Sequence, residues 1–133
     1  MNAQTKAITQ ALVGSALTIG VLDFVWLTLR NKYHQTLIQS IQKSPLTIRI
    51  IPAILVYVLI PVILFLTAVS TSSTLKEAAY KGALTGFLLY AFYDLTNYSI
   101  LTNYTLDMTI GDISWGTLLC TIGAVAGYFF YRR

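Results

Sequence analysis

The sequence is poor in charge. Five Asp or Glu and nine Lys or Arg make up 11% of its 133 residues, against about 25% in soluble domains. So few charges cannot cover a water-facing surface. Together with 56% apolar residues, they also exclude a disordered chain. Cys120 is the sole cysteine, which excludes an intrachain disulfide and any cysteine-based zinc or redox motif. His34 is the sole histidine, so a multi-histidine metal site or a Ser/His triad has little support. No glycine-rich phosphate loop is present. The nine cations are scattered and form no basic stripe, so no nucleic-acid partner is expected, and no cofactor or metal.

What the sequence does contain is long apolar runs. Four segments, near residues 7–29, 50–69, 79–101 and 113–131, approach the roughly 20 residues needed to cross a bilayer core. The first is too long for a signal peptide and contains Asp23. Pro52 falls in the first turn of the second segment, where proline is tolerated, whereas Pro61 falls mid-segment and predicts a kink. The expected fold is all-α: an integral membrane bundle of four transmembrane helices in one domain, residues 1–133, with both termini on one side. Residues 30–49 form a polar link in which His34, Leu37, Ile38 and Ile41 share one helical face. A short interfacial amphipathic helix competes there with an ordinary loop. Lys6, Lys76, Lys81, Arg132 and Arg133 flank one side of the spans, and Arg30, Lys32, Lys43 and Arg49 the other. The balance leans towards cytoplasmic termini.

The few acids are unevenly placed. Asp23 lies late in the first span, Asp94 in the second half of the third, and Asp112 at the start of the fourth. All three therefore fall towards one membrane face. An acid within a span costs about 2.5–3.5 kcal/mol on insertion scales and usually faces the bundle interior or a cavity. On the third span Tyr90, Asp94, Asn97 and Tyr98 share a face, with Tyr93 beside it. Trp26 follows Asp23 at i+3, as Trp115 follows Asp112. The candidate binding or proton-relay residues are therefore Asp23, Trp26, Tyr90, Tyr93, Asp94, Asn97, Asp112 and Trp115. No catalytic residue is assigned. Structural roles compete. The tryptophans suit a membrane-interface belt, Asp112 suits a helix N-terminus, and Asp23 could pair with Arg30 or Arg49. Gly82 and Gly86 begin the third span, and Gly123 and Gly127 end the fourth. The two small-residue faces predict close packing of these antiparallel helices in the opposite leaflet.

The patterns Asp23-x-x-Trp26-Leu27, Pro52-Ala53, Tyr90-x-x-Tyr93-Asp94-Leu95-Thr96-Asn97 and Asp112-x-x-Trp115-Gly116 together resemble the small bacterial-type membrane proteins of domain-of-unknown-function family 2177 (DUF2177). The resemblance covers nearly the whole chain. It implies a four-helix protein of a bacterial-type cytoplasmic (inner) membrane and supplies no activity. Three functions compete: movement of a small solute, proton or ion; a membrane-embedded enzyme or binder of a lipid or amphipathic molecule; and a structural or accessory subunit. Movement across the membrane leads narrowly, and an enzyme is the less favoured class because no nucleophile–base pair is visible. Beyond the lipid bilayer, the expected partner is a second copy or another membrane protein, because four helices are few to enclose a pore.

Overall fold

The computed structural model describes residues 2–133. Among them it is helical throughout, with no strand. Helix α1 spans Ala3–Leu29, α2 Asn31–Gln42, α3 Ile50–Leu64, α4 Leu75–Ile100 and α5 Leu106–Tyr131. Three stretches are long and apolar enough to cross a membrane: Ala3–Leu29, Ile50–Val69 and Leu106–Tyr131. Helix α4 is of similar length but more polar, and it is not among them.

Side chains set the starts of the long helices. The Asn2 Oδ1 accepts from the Thr5 amide at 2.7 Å. Thr74 accepts from the Glu77 amide at 3.1 Å, and the Glu77 carboxylate accepts in return from the Ser73 amide at 2.8 Å. Thr105 accepts from the Met108 amide at 3.1 Å. Each satisfies a backbone donor that the first helical turn leaves open. Thr105 also corrects the expected start of the last span. Helix α5 begins at Leu106, so Asp112 stands in its second turn, and Asp107 takes the place in the first turn that suits the helix dipole.

Pro61 lies inside α3. Just after it the helix leaves the α pattern and continues as a π-helical turn over Phe65–Val69, closed by the Ser70 amide on the Phe65 carbonyl at 2.9 Å. The proline removes one intrahelical donor, and the wider turn follows within four residues.

Helix α5 is the centre of the bundle. It runs antiparallel to α1, with Gly127 beside Ala11 and Ser15, Gly123 beside Ile19, and Trp115 beside Trp26. It also runs antiparallel to α4, with Ala124 and Cys120 against Gly82, and Cys120 and the Gly116 carbonyl against Gly86. Ile19, Leu64, Ala68, Leu119, Cys120 and Ala124 make a fully buried core. The helix termini of the chain meet at one end of the bundle. There Tyr128 and Arg132 donate to the Ser73 and Ser72 carbonyls at 2.7 and 2.9 Å, tying α5 to the turn before α4.

The small-residue packing is therefore shifted from the expected pattern. Gly82 and Gly86 do bring α4 close to α5, but they meet Gly116, Cys120 and Ala124. Gly123 and Gly127 face the other way, towards Ile19 and Leu64 and towards Val69 and Ala11. Two small-residue stripes run along α5, one for each neighbouring face, because α5 is packed on both sides.

Residues 31–42 form a helix, not a loop. The apolar face of α2 presents Leu37, with Tyr33 and Ile41, to Tyr104, Met108 and Leu101. Asn103, at φ 74° in the turn between α4 and α5, donates from Nδ2 to the Ser40 carbonyl at 3.2 Å. Left-handed backbone suits asparagine better than most residues. Helix α2 thus covers the end of the bundle opposite the termini.

Candidate functional site

Beneath α2 lies a cleft of about 390 Å³ between α1, α2, α4 and α5, closed on one side by Leu46 and Ile48 of the link before α3. Asp23 and Trp26 enter from α1, His34 and Asn31 from α2, Tyr90 from α4, and Asp112 and Trp115 from α5. The lining holds two carboxylates and no Lys or Arg.

Asp23 is fixed on both oxygens. Its Oδ1 accepts from the Trp115 indole nitrogen at 3.0 Å, and its Oδ2 accepts from the Tyr57 hydroxyl. One carboxylate therefore joins α1, α3 and α5. The two indoles stack face to face, centroids 4.7 Å apart and planes 5° from parallel. The twin Asp-x-x-Trp patterns place these tryptophans against each other, which gives them a structural task beyond an interface belt.

Arg30 does not pair with Asp23. Its Nη2 donates to Asp107 at 3.0 Å. Its guanidinium lies 5.2 Å from the Trp26 ring centre and 4.5 Å from that of Tyr33, both cation–π distances. Arg49 is exposed and makes no ion pair among the described residues. Asp23, Asp94 and Asp112 are likewise free of ion pairs there. The His34 Nδ1 is buried without a protein partner. Burial, aided by the neighbouring Arg30 charge, lowers the His34 pKa from 6.5, with Asp23 opposing. The imidazole facing the cleft is therefore neutral at pH 7.

Asp94 is not among the residues that line the cleft. It is fully buried, and its Oδ1 accepts from the Tyr104 hydroxyl while Oδ2 finds no protein partner. Burial and the Asp94 bond push the Tyr104 pKa up, with Asn97 acting the other way. Of the three acids expected to converge, Asp23 and Asp112 line one cleft, and Asp94, bonded to Tyr104 under α2, adjoins it closely enough that its charge acts on Asp112. Asn97 is half-buried beside that contact. Tyr93 is exposed and lines a groove between α3 and α4 instead. Tyr90 lines both the cleft and that groove, its ring lying flat over Gly116.

Tyr57, Tyr104 and His34 belong to the site region but escaped the sequence-based selection. Tyr57 had a signal, as the one hydroxyl in the apolar run from Ile50 to Leu66. Tyr104 sits in a turn and had none. Among the described residues no three acid, histidine or cysteine side chains are grouped as a metal site would need.

Fold and cleft together define a helical membrane protein with a polar, aromatic site near one end. The chain belongs to the family DUF2177, described as predicted membrane proteins, whose model matches residues 8–129. No curated protein and no solved structure matches it.

Proposed function

We propose that this protein binds the cationic head of an amphipathic molecule in the cleft beneath α2, within a four-span bundle. The observation that carries the proposal is the lining itself: Asp23, Asp112 and three aromatic rings, with a neutral histidine and no basic side chain. Carboxylates and indole faces both favour a cation. Arg30 illustrates the preference, lying over Trp26 and paired with Asp107 while its charge is also felt at Asp112. Asp23 is held by two hydrogen bonds, whereas Asp112 has the Trp26 indole beside it and the Arg30 charge nearby, so Asp112 is the less engaged carboxylate for a ligand.

The membrane placement rests on α4 crossing along with the three more apolar helices. Its 26 residues reach about 39 Å, against a core of about 30 Å. Outward it shows Leu84, Phe87, Leu88, Phe92 and Leu95, all exposed. Asp94 is buried and Tyr90 partly buried, while Tyr93 and Tyr98 are exposed along with those apolar residues.

Binding is better supported than passage across the membrane. Towards the termini, the cleft gives way to the fully buried core of Ile19, Leu64, Leu119 and Ala124, which favours a one-sided site over a water path.

Trp26 and Trp115 are the only tryptophans, and both line the cleft, so intrinsic fluorescence reads the site directly. Titrating butyltrimethylammonium into the protein in phosphatidylglycerol nanodiscs should change the emission saturably. Butyl sulfate should not, and Asp112→Asn should abolish the response. An emission insensitive to the cation, or equally sensitive in Asp112→Asn, refutes the proposal.

A further inference from the structure

We propose that the groove between α3 and α4 holds the alkyl chain of the molecule whose head occupies the cleft, with Tyr90 as the wall the two share. This deepens the binding proposal and rests on it: the ligand becomes a long-chain cation lying half in the protein and half along its lipid face.

The groove has a volume of about 440 Å³. Val56, Leu59 and Ile63 of α3 and Leu89 and Tyr93 of α4 line it, and Tyr90 closes it towards the cleft. Apart from the two phenols its walls are apolar. From Val56 to Ile63 the groove covers about 10 Å of helix rise, which keeps it within one leaflet of a core about 30 Å thick. Its depth is tied to the cleft by α3 itself. Tyr57, next to Val56, reaches Asp23 with its hydroxyl. The end of the groove therefore starts at the depth of the carboxylate pair and runs inward along the bilayer normal, as an acyl chain does.

Tyr90 makes the two spaces adjacent. Its ring rests on Gly116, where an added Cβ would lie 2.1 Å from the ring's Cγ. Only glycine at 116 lets the phenol lie this flat, in a place where it borders both the cleft and the groove. In a bilayer a chain gains little hydrophobic free energy by moving from lipid to an apolar groove. The groove therefore directs where the chain lies, and the head supplies the affinity. That division of labour shapes the test.

The probe is dodecyltrimethylammonium with a diazirine at the chain end, photolysed with the protein in phosphatidylglycerol nanodiscs and mapped by peptide mass spectrometry. Adducts should concentrate on Val56–Ile63 and on Leu89–Tyr93, and should fall several-fold in Asp112→Asn, where the head is no longer held. Adducts on the exposed Val21 and Phe24 of α1, which report bulk lipid, should stay constant. Leu59→Phe alters an exposed groove residue outside the core. It should remove the groove adducts while the fluorescence response to butyltrimethylammonium persists. If that short cation gives no fluorescence response in the wild type, both proposals fall. If it does, but adducts are spread evenly over the lipid face or survive Asp112→Asn or Leu59→Phe, the chain path alone is overturned.

Discussion

Replacing Gly86 by alanine tests a close contact between two helix backbones, α4 and α5. A Cβ at that position would stand 2.5 Å from the Gly116 carbonyl oxygen and 2.6 Å from the Cys120 Cβ. The first neighbour is backbone, so no rotamer change relieves it. Both distances fall roughly 1 Å short of an ordinary contact, and the surplus must separate α4 from α5. Overpacking of this kind costs about 1–3 kcal/mol. Alanine also favours a helix over glycine by about 1 kcal/mol, so the variant needs a reference that carries the gain without the clash. Gly20 supplies it, since a Cβ there meets nothing within 4 Å. Gly20→Ala should melt no lower than wild type, and the gap between the two variants should recover the steric cost of about 1–3 kcal/mol. Cys120 offers the assay. It is the sole thiol, fully buried, and its Sγ would lie 3.1 Å from the new Cβ. A thiol-reactive fluorophore therefore stays dark until this seam opens on heating. Gly86→Ala should begin to label at a lower temperature than Gly20→Ala. Labelling at the same temperature or above would refute the close-packed seam.

Tyr104→Phe leaves both oxygens of the buried Asp94 without a protein partner and should cost about 1–3 kcal/mol; a thermal melt within error of wild type would contradict the buried contact. Asp107→Asn breaks the Arg30 pair at a carboxylate that is 69% exposed, so stability should change by no more than about 1 kcal/mol, and a larger loss would show the pair to be structural. Glu77 accepts from Lys81 and from the Ser73 amide, which together hold its pKa below the ordinary 4.5. A depressed carboxyl stabilises the fold above its unfolded pKa and loses that effect as the pH falls through its folded pKa. Glu77→Gln should therefore melt below wild type at pH 7, with the gap closing in acid; a gap that is constant with pH would show that charge plays no part.

The bundle was legible because apolar length is a strong signal. The pattern of small residues was legible only in part. Gly82-x-x-x-Gly86 declares a packing face, and the contact with α5 follows. The sequence does not say which stripe of α5 receives it, because Gly116, Cys120 and Ala124 look no more like a partner face than Gly123 and Gly127. That choice depends on the rotation of α5 between α1 and α4. The site shows the same division. Asp23, Trp26, Tyr90, Asp112 and Trp115 meet in one cleft because a membrane interior makes isolated polar residues costly, so they gather. Asp94 sits at a similar depth and belonged by that reasoning to the same group. A turn residue, Tyr104, reaches back and holds it just outside the cleft lining, still close enough for its charge to act on Asp112. Tyr104 is ten residues away, across the bend between α4 and α5, and no helical periodicity links the two.

Helix α4 explains why the least membrane-like of the long helices matters most. A helix with few polar tasks can be apolar almost all round, as α3 is between Ile50 and Leu64 with Tyr57 as its one hydroxyl. A helix that packs tightly on one neighbour and lines a polar cleft needs glycines and polar groups on its inner face, and each lowers its average hydropathy. Gly82 and Gly86 seat α4 on α5, Tyr90 divides the cleft from the lipid-side groove, and Asp94 holds the turn beneath α2. All of them face inward, while Phe87, Phe92 and Leu95 face out. The polarity that keeps α4 from resembling a membrane span comes from both faces and from its ends, because Lys76, Tyr80, Tyr93, Thr96, Tyr98 and Ser99 are exposed while Asp94 is buried. A composition average over the helix hides this arrangement: Leu84, Phe87, Leu88 and Phe92 give the middle of its outer face an apolar surface, while Gly82, Gly86 and Asp94 are spent on contacts inside the bundle.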